Sequence, residues 1–577
     1  MHRVMRTSGG IRYLALLSLV FSANIATATK MRLSKDLQHL PSKQVVSVII
    51  QYKNGPSQKD LNQVATQGAA LQETLPLVRG GAFTVKAGNL STLANDPDIV
   101  YISPNRTVHA AATVTDFYDQ AVIAPYAWSQ SLTGKGIGIA VIDSGIASSN
   151  DFTLATGKGT RVVYNQNFVV GETTTNDLYG HGTHVAGIIA GNGANSTGAA
   201  FTKKFIGIAY GVNLINLRVL DETGSGSDSQ VIAAIQQAIS LKSKYNIRVI
   251  NLSLGRPVFE SYSLDPLCLA VESAWKAGIV VVVAAGNEGR NNSANTDGYG
   301  TISAPGNDPY VITVGAMKPM GTATRTDDLI ASYSSKGPTL FDHIVKPDIV
   351  APGNLTDSVL ASSTATLVKS YPGNIVPLSY YSTNKKGTSN YFTLSGTSMA
   401  APVVSGAAAL LLQKTASLTP DQVKARLMKS AYKTFPREST ATDPSTGITY
   451  TSQYDIFTVG AGYLDIQGAL SSTDLAAAKV GSAMSPAVTV DKSGNVYLAT
   501  SSPEVWSKNG VWGTSVVWGN SVFSTVVNGN SVLWGSSAPW GAENDTGYSV
   551  VWGTSVVWGS STSSSTEAIS IEIQGEE

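Results

Sequence analysis

The chain has 577 residues, with 40 Lys and Arg against 39 Asp and Glu, and 43% of it is hydrophobic. The near-zero net charge lacks the basic footprint of a nucleic-acid binder, and 14% charged residues is too few for a solvated, disordered chain. A single cysteine, Cys268, excludes an intrachain disulfide framework and any multi-cysteine metal site.

The N-terminus reads as an address. Arg3, Arg6 and Arg12 give a positive start, residues 13–21 a short apolar stretch, and Ala26-Thr27-Ala28 the small residues of a cleavage site. That stretch is shorter than the ~20 residues needed to span a bilayer, and no later stretch is long and apolar enough. Residues 1–28 are therefore expected to be a signal peptide on a secreted chain without a transmembrane segment. Residues 29–112 form a small mixed unit, with strands expected at Val45–Tyr52, 82–86 and Ile99–Pro104 and a helix at 59–68.

From 113 to 478, apolar runs at 137–142, 214–219, 248–254 and 279–285 alternate with helical patterns such as 229–243 and 266–277. Continuous apolar strands between helices predict an α/β unit whose parallel sheet is buried on both faces. Residues 479–505 read as a spacer with one or two strands. The last zone, 506–577, is a six-residue repeat: Trp512-Gly513-Thr514-Ser515-Val516-Val517, then Trp518-Gly519-Asn520-Ser521-Val522-Phe523. After four extra residues the register resumes at Asn528 and holds at Trp534, Trp540, Thr546, Trp552 and Trp558. Six is a multiple of two, so in extended chain each Trp shares a face with the Val four residues on. A stacked β structure and an adhesive, irregular tail both fit that pattern. No chemistry-bearing motif lies after 478, so the tail is not expected to complete the core of the large unit.

Three histidines fall in the large unit: His181, His184 and His343. His181 stands in Gly180-His181-Gly182-Thr183-His184, where a helix is expected to open; His184, one turn on, reads as a packed structural residue. Asp143 follows the strand 137–142, at the carboxyl end where open parallel sheets gather their working groups. Ser398, in Gly396-Thr397-Ser398-Met399-Ala400-Ala401-Pro402, opens a long apolar run. It or Thr397 fits an N-cap, and Pro402 reads as a first-turn proline. Asn287, in Ala285-Gly286-Asn287-Glu288-Gly289, follows another buried strand. Each alone has an ordinary reading as a turn, cap or packing residue.

Taken together, in the order Asp, His, Asn, Ser and in these contexts, they resemble the subtilisin family of serine peptidases. Asn251-Leu252-Ser253-Leu254-Gly255, Lys346-Pro347-Asp348-Ile349-Val350-Ala351-Pro352-Gly353 and Gly460-Ala461-Gly462-Tyr463-Leu464-Asp465 add to the resemblance, which covers about 113–470. It implies a three-layer, subtilisin-like domain and peptide-bond hydrolysis through Asp143, His181 and Ser398, with Asn287 in the oxyanion hole and no cofactor for catalysis. It also implies that Gly224-Ser225-Gly226 and Ser253-Leu254-Gly255 pair with an extended polypeptide substrate, with Glu288 and Ser303 lining the pocket before the scissile bond. Structural calcium is common in the family, but the pattern is broken here. The loop 191–204 is long, Asn192 and Asn195 are its candidate oxygen donors, Asp151 stands one residue early, and no metal ligand set is assigned. A long insertion, 354–392, precedes Ser398 and is expected at the rim of the cleft. The unit 29–112 resembles the family's propeptide, an inhibitor and folding aid, with cleavage expected within 108–113. The competing reading is an inactive scaffold that displays the Trp-rich tail for adhesion.

Overall fold

The Val- and Ile-rich runs of the middle zone become the buried strands of one sheet in the computed structural model. It describes residues 32–490 apart from 35–36, 39, 106–117, 155, 294–295, 385, 444–445 and 474–475, and beyond 490 only 496–498, 555–557, 571 and 573–576. The expected signal peptide, the propeptide cleavage segment and nearly all of the Trp repeat lie outside the described residues. Among the described residues, no helix is long and apolar enough to cross a membrane. The chain divides into two units, 1–108 and 109–577.

In the first unit, β1 (Val45–Tyr52), α1 (Gln58–Thr66), β2 (Ala70–Leu75), β3 (Gly80–Lys86), α2 (Leu90–Ala94) and β4 (Ile99–Pro104) build an antiparallel sheet in the order β2-β3-β1-β4. Ser57 caps α1 and Asp60 reaches back to its amide, a capping box that fixes the helix start. Val48, Ile50, Val64, Phe83, Leu93 and Ile102 form its core. Strand β2 was not foreseen, because Ala70–Leu75 lies on the sheet edge, mostly exposed, and has no alternating apolar pattern.

In the second unit, short helices α3 (Tyr118–Ala121) and α4 (Ala124–Ser129) lead to β5 (Gly138–Asp143) and β6 (Val162–Asn167). Then follow α5 (His181–Ala190), β7 (Asn213–Arg218), β8 (Ser225–Ser227), α6 (Asp228–Tyr245), β9 (Ile247–Leu252), α7 (Pro266–Lys276), β10 (Val280–Ala284), β11 (Ile312–Lys318), β12 (Leu329–Ile330) and β13 (Ile349–Pro352). The eight-stranded sheet runs β12-β11-β10-β9-β5-β7-β6, with β13 also on β11; every pairing is parallel except β11 with β12. The chain leaves β5 toward β6 and β7 on one side and returns toward β9 and β10 on the other. β5 is therefore at the switch point, where such sheets open a crevice.

The insertion supplies β14 (Thr356–Val359), α8 (Thr366–Ser370) and α9 (Leu378–Tyr381) before β15 (Tyr391–Leu394) and the long helix α10 (Thr397–Lys414); α11 (Pro420–Ser430) and α12 (Ile466–Ser471) follow. Helices α5 and α10 pack together on one face of the sheet and α6 and α7 on the other, giving three layers. Helix starts follow local chemistry: Thr419 caps α11 with Pro420 in its first turn and Gln422 bonding back, and Asp265 caps α7 ahead of Pro266.

The expectation that nothing after 478 completes this core is not met. Ala483, Val488, Ile571 and Ile573 lie in it, and the Ser485 hydroxyl bonds to Asp348 inside the buried Lys346–Asp348–Lys424 cluster. The apolar runs of the spacer and of the chain end, such as Val488 with Val490 and Ile569, Ile571 and Ile573, are too short to show from sequence that they pack into this core.

Candidate active site

Asp143 ends β5 and is fully buried; its Oδ1 lies 2.7 Å from His181 Nδ1 and also accepts the Ser144 amide at 2.7 Å. His181 is the first residue of α5, as expected. This close approach of helix to strand depends on Gly182. A Cβ there would lie 2.3 Å from the Gly145 carbonyl oxygen and 3.1 Å from the Asp143 carboxylate. The helix start is held by Asp177, which sequence reading missed. Its Oδ1 accepts the Gly180 amide and the Ser144 hydroxyl, and its Oδ2 accepts the Thr183 amide. An acid just ahead of a helix is the local signal that marks it. Arg218, opposite Asp143 in β7, holds the Ser144 carbonyl with Nε and pairs with Glu172 at 2.7 Å.

His184 is fully buried. Its Nε2 donates to the carbonyls of Thr356 and Phe392, at 3.0 and 2.9 Å, and burial, with His181 nearby, lowers its pKa to about 3.

Ser398 lies in the first turn of α10, but neither it nor Thr397 is the cap; the cap is Gly396 at φ +142°. A Cβ on Gly396 would meet Asn287 Nδ2 at 3.0 Å, so only glycine gives both the backbone angle and the close approach. Pro402 lies inside the helix, past the first turn. It has no N–H to give the carbonyl of Ser398, four residues earlier. That carbonyl instead accepts the Ser253 hydroxyl at 2.8 Å; Ser253 in turn accepts from Asn251, which accepts from Ser405. The Asn287 side chain is oriented through Oδ1, which accepts the Thr397 amide at 2.9 Å and its hydroxyl at 3.0 Å. Among the described residues, Asn287 Nδ2 and Ser398 Oγ have no hydrogen-bond partner, although both atoms are buried. Both atoms stand beside the start of α10 with hydrogen-bonding capacity unused.

A model of the subtilase family matches residues 134–462. The chain belongs to the subtilase family, and it is a subtilisin-like serine peptidase by class. It is 39% identical over 316 residues to serine protease AprX of Bacillus subtilis, a match covering 53% of this chain and 63% of AprX, so it spans a little under two thirds of that relative. It is 34% identical to subtilisin E of the same species over 377 residues, 65% of this chain and 81% of subtilisin E. A solved cold adapted subtilisin-like serine proteinase is 30% identical, with 52% of this chain and 84% of that one covered at a TM-score of 0.36.

The segments of this subtilase expected to pair with substrate are placed unequally. Ser253 is committed to the Ser398 carbonyl, and the Leu254 side chain is core, which leaves only backbone for pairing there. Ser303 is wedged between two glycines: its Cβ is 3.0 Å from where a Cβ of Gly255 would be, and its Oγ is 2.5 Å from that of Gly286. Glu288, half-buried beside them, has its amide bonded to Ser335 Oγ. Gly224 (φ +80°) packs on the Tyr179 ring, and Ser225–Ser227 is β8, whose strand partner is the tail strand β16 (Ser555–Val557), antiparallel with Val556 opposite Gly226. The insertion runs beside the His181 loop, with Thr366 and Leu367 amides bonded to the Leu178 and Tyr179 carbonyls.

The loop weighed for calcium does not fit a divalent cation. The Arg161 guanidinium already takes the carbonyls of Asp151, Thr153, Ala190 and Val212. Asn192 Oδ1 accepts the Ala194 amide, Asn195 Oδ1 accepts from Asn150, and Asp151 Oδ1 accepts the Asn195 amide. Calcium needs six to eight such oxygens. Among the described residues, no group of three or more His, Cys, Asp or Glu is arranged to hold a metal.

Proposed function

We propose that this subtilase is a secreted serine endopeptidase that cuts polypeptides through Asp143, His181 and Ser398 by way of an acyl-enzyme, and that it is made as a precursor that processes itself. The observation that supports this best is the 2.7 Å bond between Asp143 and His181 Nδ1, which fixes the imidazole with its other nitrogen able to accept a proton. A serine hydroxyl is a weak nucleophile at neutral pH and needs such a base. Ser398 Oγ, without a hydrogen-bond partner among the described residues, reaches such a base when substrate is bound.

In the reaction, Ser398 Oγ attacks the scissile carbonyl carbon and its proton passes to His181 Nε2. The negative charge that forms on the carbonyl oxygen meets Asn287 Nδ2 and the Ser398 amide, donors fixed before the reaction begins. Collapse breaks the C–N bond as His181 returns the proton to the leaving amine, and water repeats the cycle on the ester. Asp143 stabilises the imidazolium without taking the proton. Backbone at Ser225–Ser227 and at Gly255 pairs with the substrate, and Glu288 and Ser303 border the pocket before the cut. Residues 29–112 act as inhibitor and folding aid, and cleavage falls within 108–113. The address-like segment 1–28 supports export.

Ser398→Ala is the test. Peptide hydrolysis should fall on the order of a million-fold, the loss known for subtilisin's own serine, and the precursor should stay uncut. Mature-length product from the purified variant would refute both the nucleophile and the self-processing.

A further inference from the structure

Far from the triad in sequence, the last residues of the chain dock into a built receptor. Glu576 is only 4% exposed. Its Oε2 accepts the Ser332 amide at 2.8 Å, the Ser332 hydroxyl at 2.6 Å and Arg290 Nη2 at 3.2 Å, and Lys318 Nζ stands 3.8 Å from Oε1. Its backbone is read as well: Asn354 Oδ1 accepts the Glu576 amide at 2.8 Å, and Asn354 Nδ2 donates to its carbonyl at 2.7 Å. Asn374 donates to the Ile573 carbonyl, and Ile571 and Ile573 are buried in the core. Arg290 and Lys318 are themselves buried, and Arg290 also pairs with Asp443. Removing Glu576 takes a carboxylate from two buried cations, a costly change.

The receptor is wired to the active site on two sides. Arg290 is three residues from Asn287, and the ladder beneath that loop runs through Ser332's neighbours. Gly289 donates to the Tyr333 carbonyl, Glu288 to Ser335 Oγ, and Ser335 back to the Gly286 carbonyl. Asn354 follows Gly353, whose carbonyl takes the Gly396 amide at 2.7 Å and the Tyr333 hydroxyl at 3.0 Å, and the Leu355 amide donates to Ser395 Oγ. One carboxylate thus clamps the loop that carries Asn287 against the turn that presents Ser398.

We propose that Arg290, Lys318, Ser332 and Asn354 form a receptor for the chain's own C-terminal segment, and that Glu576, docked there, is a positioning residue that aligns Asn287 with the start of α10. This rests on the reading of Asn287 as an oxyanion donor. The clamp closes a long covalent loop, since residues 491–570 join two stretches that are both docked on the peptidase.

The test compares the full chain, Glu576→Gln and a chain ending at residue 570, each with active sites titrated by a covalent inhibitor. The truncated chain should lose turnover by about ten- to a hundred-fold, the scale of a small misplacement of reacting groups, with KM within about twofold. Glu576→Gln should show the same split with a smaller loss. The octapeptide of residues 570–577, added in trans, should bind the truncated chain carrying Ser398→Ala and restore turnover to the one carrying Ser398, whereas the same peptide with Glu576→Gln should do neither. Unchanged turnover, or a lower melting temperature with unchanged turnover, overturns the positioning role; failure of the octapeptide to bind overturns the receptor. If the truncated chain does not accumulate, Glu576→Gln decides alone: a loss confined to kcat supports the proposal, and an unchanged kcat overturns it. Asn287→Ala in the full chain separates the two readings. If it lowers kcat while loss of the C-terminus does not, only the clamp falls; if it leaves kcat unchanged, the oxyanion reading falls first.

Discussion

The triad crevice and the C-terminal receptor are both buried polar clusters in the same unit, but they are assembled in opposite ways. In the crevice, each functional side chain arrives with its own neighbours: Gly182 beside His181, Gly396 and Thr397 beside Ser398, Ser144 beside Asp143. The receptor gathers Arg290, Lys318, Ser332 and Asn354 from four separate segments onto a glutamate more than two hundred residues from any of them. A catalytic residue must be held at an angle as well as a place, and adjacent residues in the chain set angles. A charge clamp needs only proximity and exclusion of water, which tertiary packing supplies from any distance in sequence. The difference predicts that changes in the crevice act on turnover out of proportion to stability, while changes in scattered clamps act on both.

Asn287→Ala is the sharpest way to break that contrast. It should lower kcat by roughly 100- to 1,000-fold, the range known for removing such a donor in subtilisin, and leave KM and the melting temperature nearly unchanged. The side chain's Oδ1 contacts are with Thr397 at a helix end that Ser253 also anchors, so the fold keeps a second tether. An effect confined to KM would mean that uniform binding was lost and would remove Asn287 from the oxyanion hole.

The same contrast explains what the sequence made legible. The strands at 138–143, 247–252 and 280–284 were visible because their faces are largely buried and most of their residues are apolar, Arg248, Asn251 and Asp143 being the exceptions. Edge strand β6, half-buried and ending Asn165-Gln166-Asn167, had no such pattern. Asp143, His181, Asn287 and Ser398 stood out by their flanking glycines and small residues. Asp177 and Glu576 did not, because an acid without a glycine-rich motif around it looks alike in sequence whether it is solvated or buried. The proline of the Ser398 motif was misread for a related reason: the partner that satisfies the freed carbonyl, Ser253, is 145 residues away.

Arg161 offers a second, smaller comparison, between a side-chain cation and a metal. Its guanidinium holds four main-chain carbonyls from Asp151, Thr153, Ala190 and Val212. The Asp151 and Thr153 carbonyls each keep a donor from Asn192, while each buried carbonyl left without one costs about 1–3 kcal/mol. Arg161→Ala, which takes the guanidinium from Ala190 and Val212 as well, should therefore cost at least about 2 kcal/mol and lower the melting temperature by several degrees. The measurement is thermal unfolding in the Ser398→Ala background, which prevents self-digestion. Since the Arg161 charge already occupies the centre of this loop and, among the described residues, only Asp151 Oδ2 is left without a partner there, a calcium chelator should not reproduce the loss. A chelator that does, with calcium restoring the parent but not Arg161→Ala, would show that the guanidinium and a metal act together there.

The smallest expected effect concerns β16, the one described stretch of the repeat zone that touches the proposed substrate track. It pairs through Ser555, Val556 and Val557 with Ser227, Gly226 and Ser225, the backbone that an extended substrate would use. A tethered competitor raises the apparent KM by the inverse of the fraction of molecules with a free strand. Three residues of pairing contribute only a few hydrogen bonds, each worth about 1 kcal/mol net, and closing the loop opposes them. The remaining bias is on the order of 1 kcal/mol, about fivefold in population. Such a bias leaves about one molecule in six with a free strand, so deleting residues 551–560 should lower KM by about sixfold for substrates long enough to reach Ser225–Ser227. Short substrates that stop before that strand should be unaffected, and kcat should stay constant because the Glu576 clamp remains attached. Equal KM values for long substrates in the two proteins would mean that substrate and tail do not share this edge. A parallel change for short and long substrates would place the effect on the fold of the unit rather than on competition for one strand.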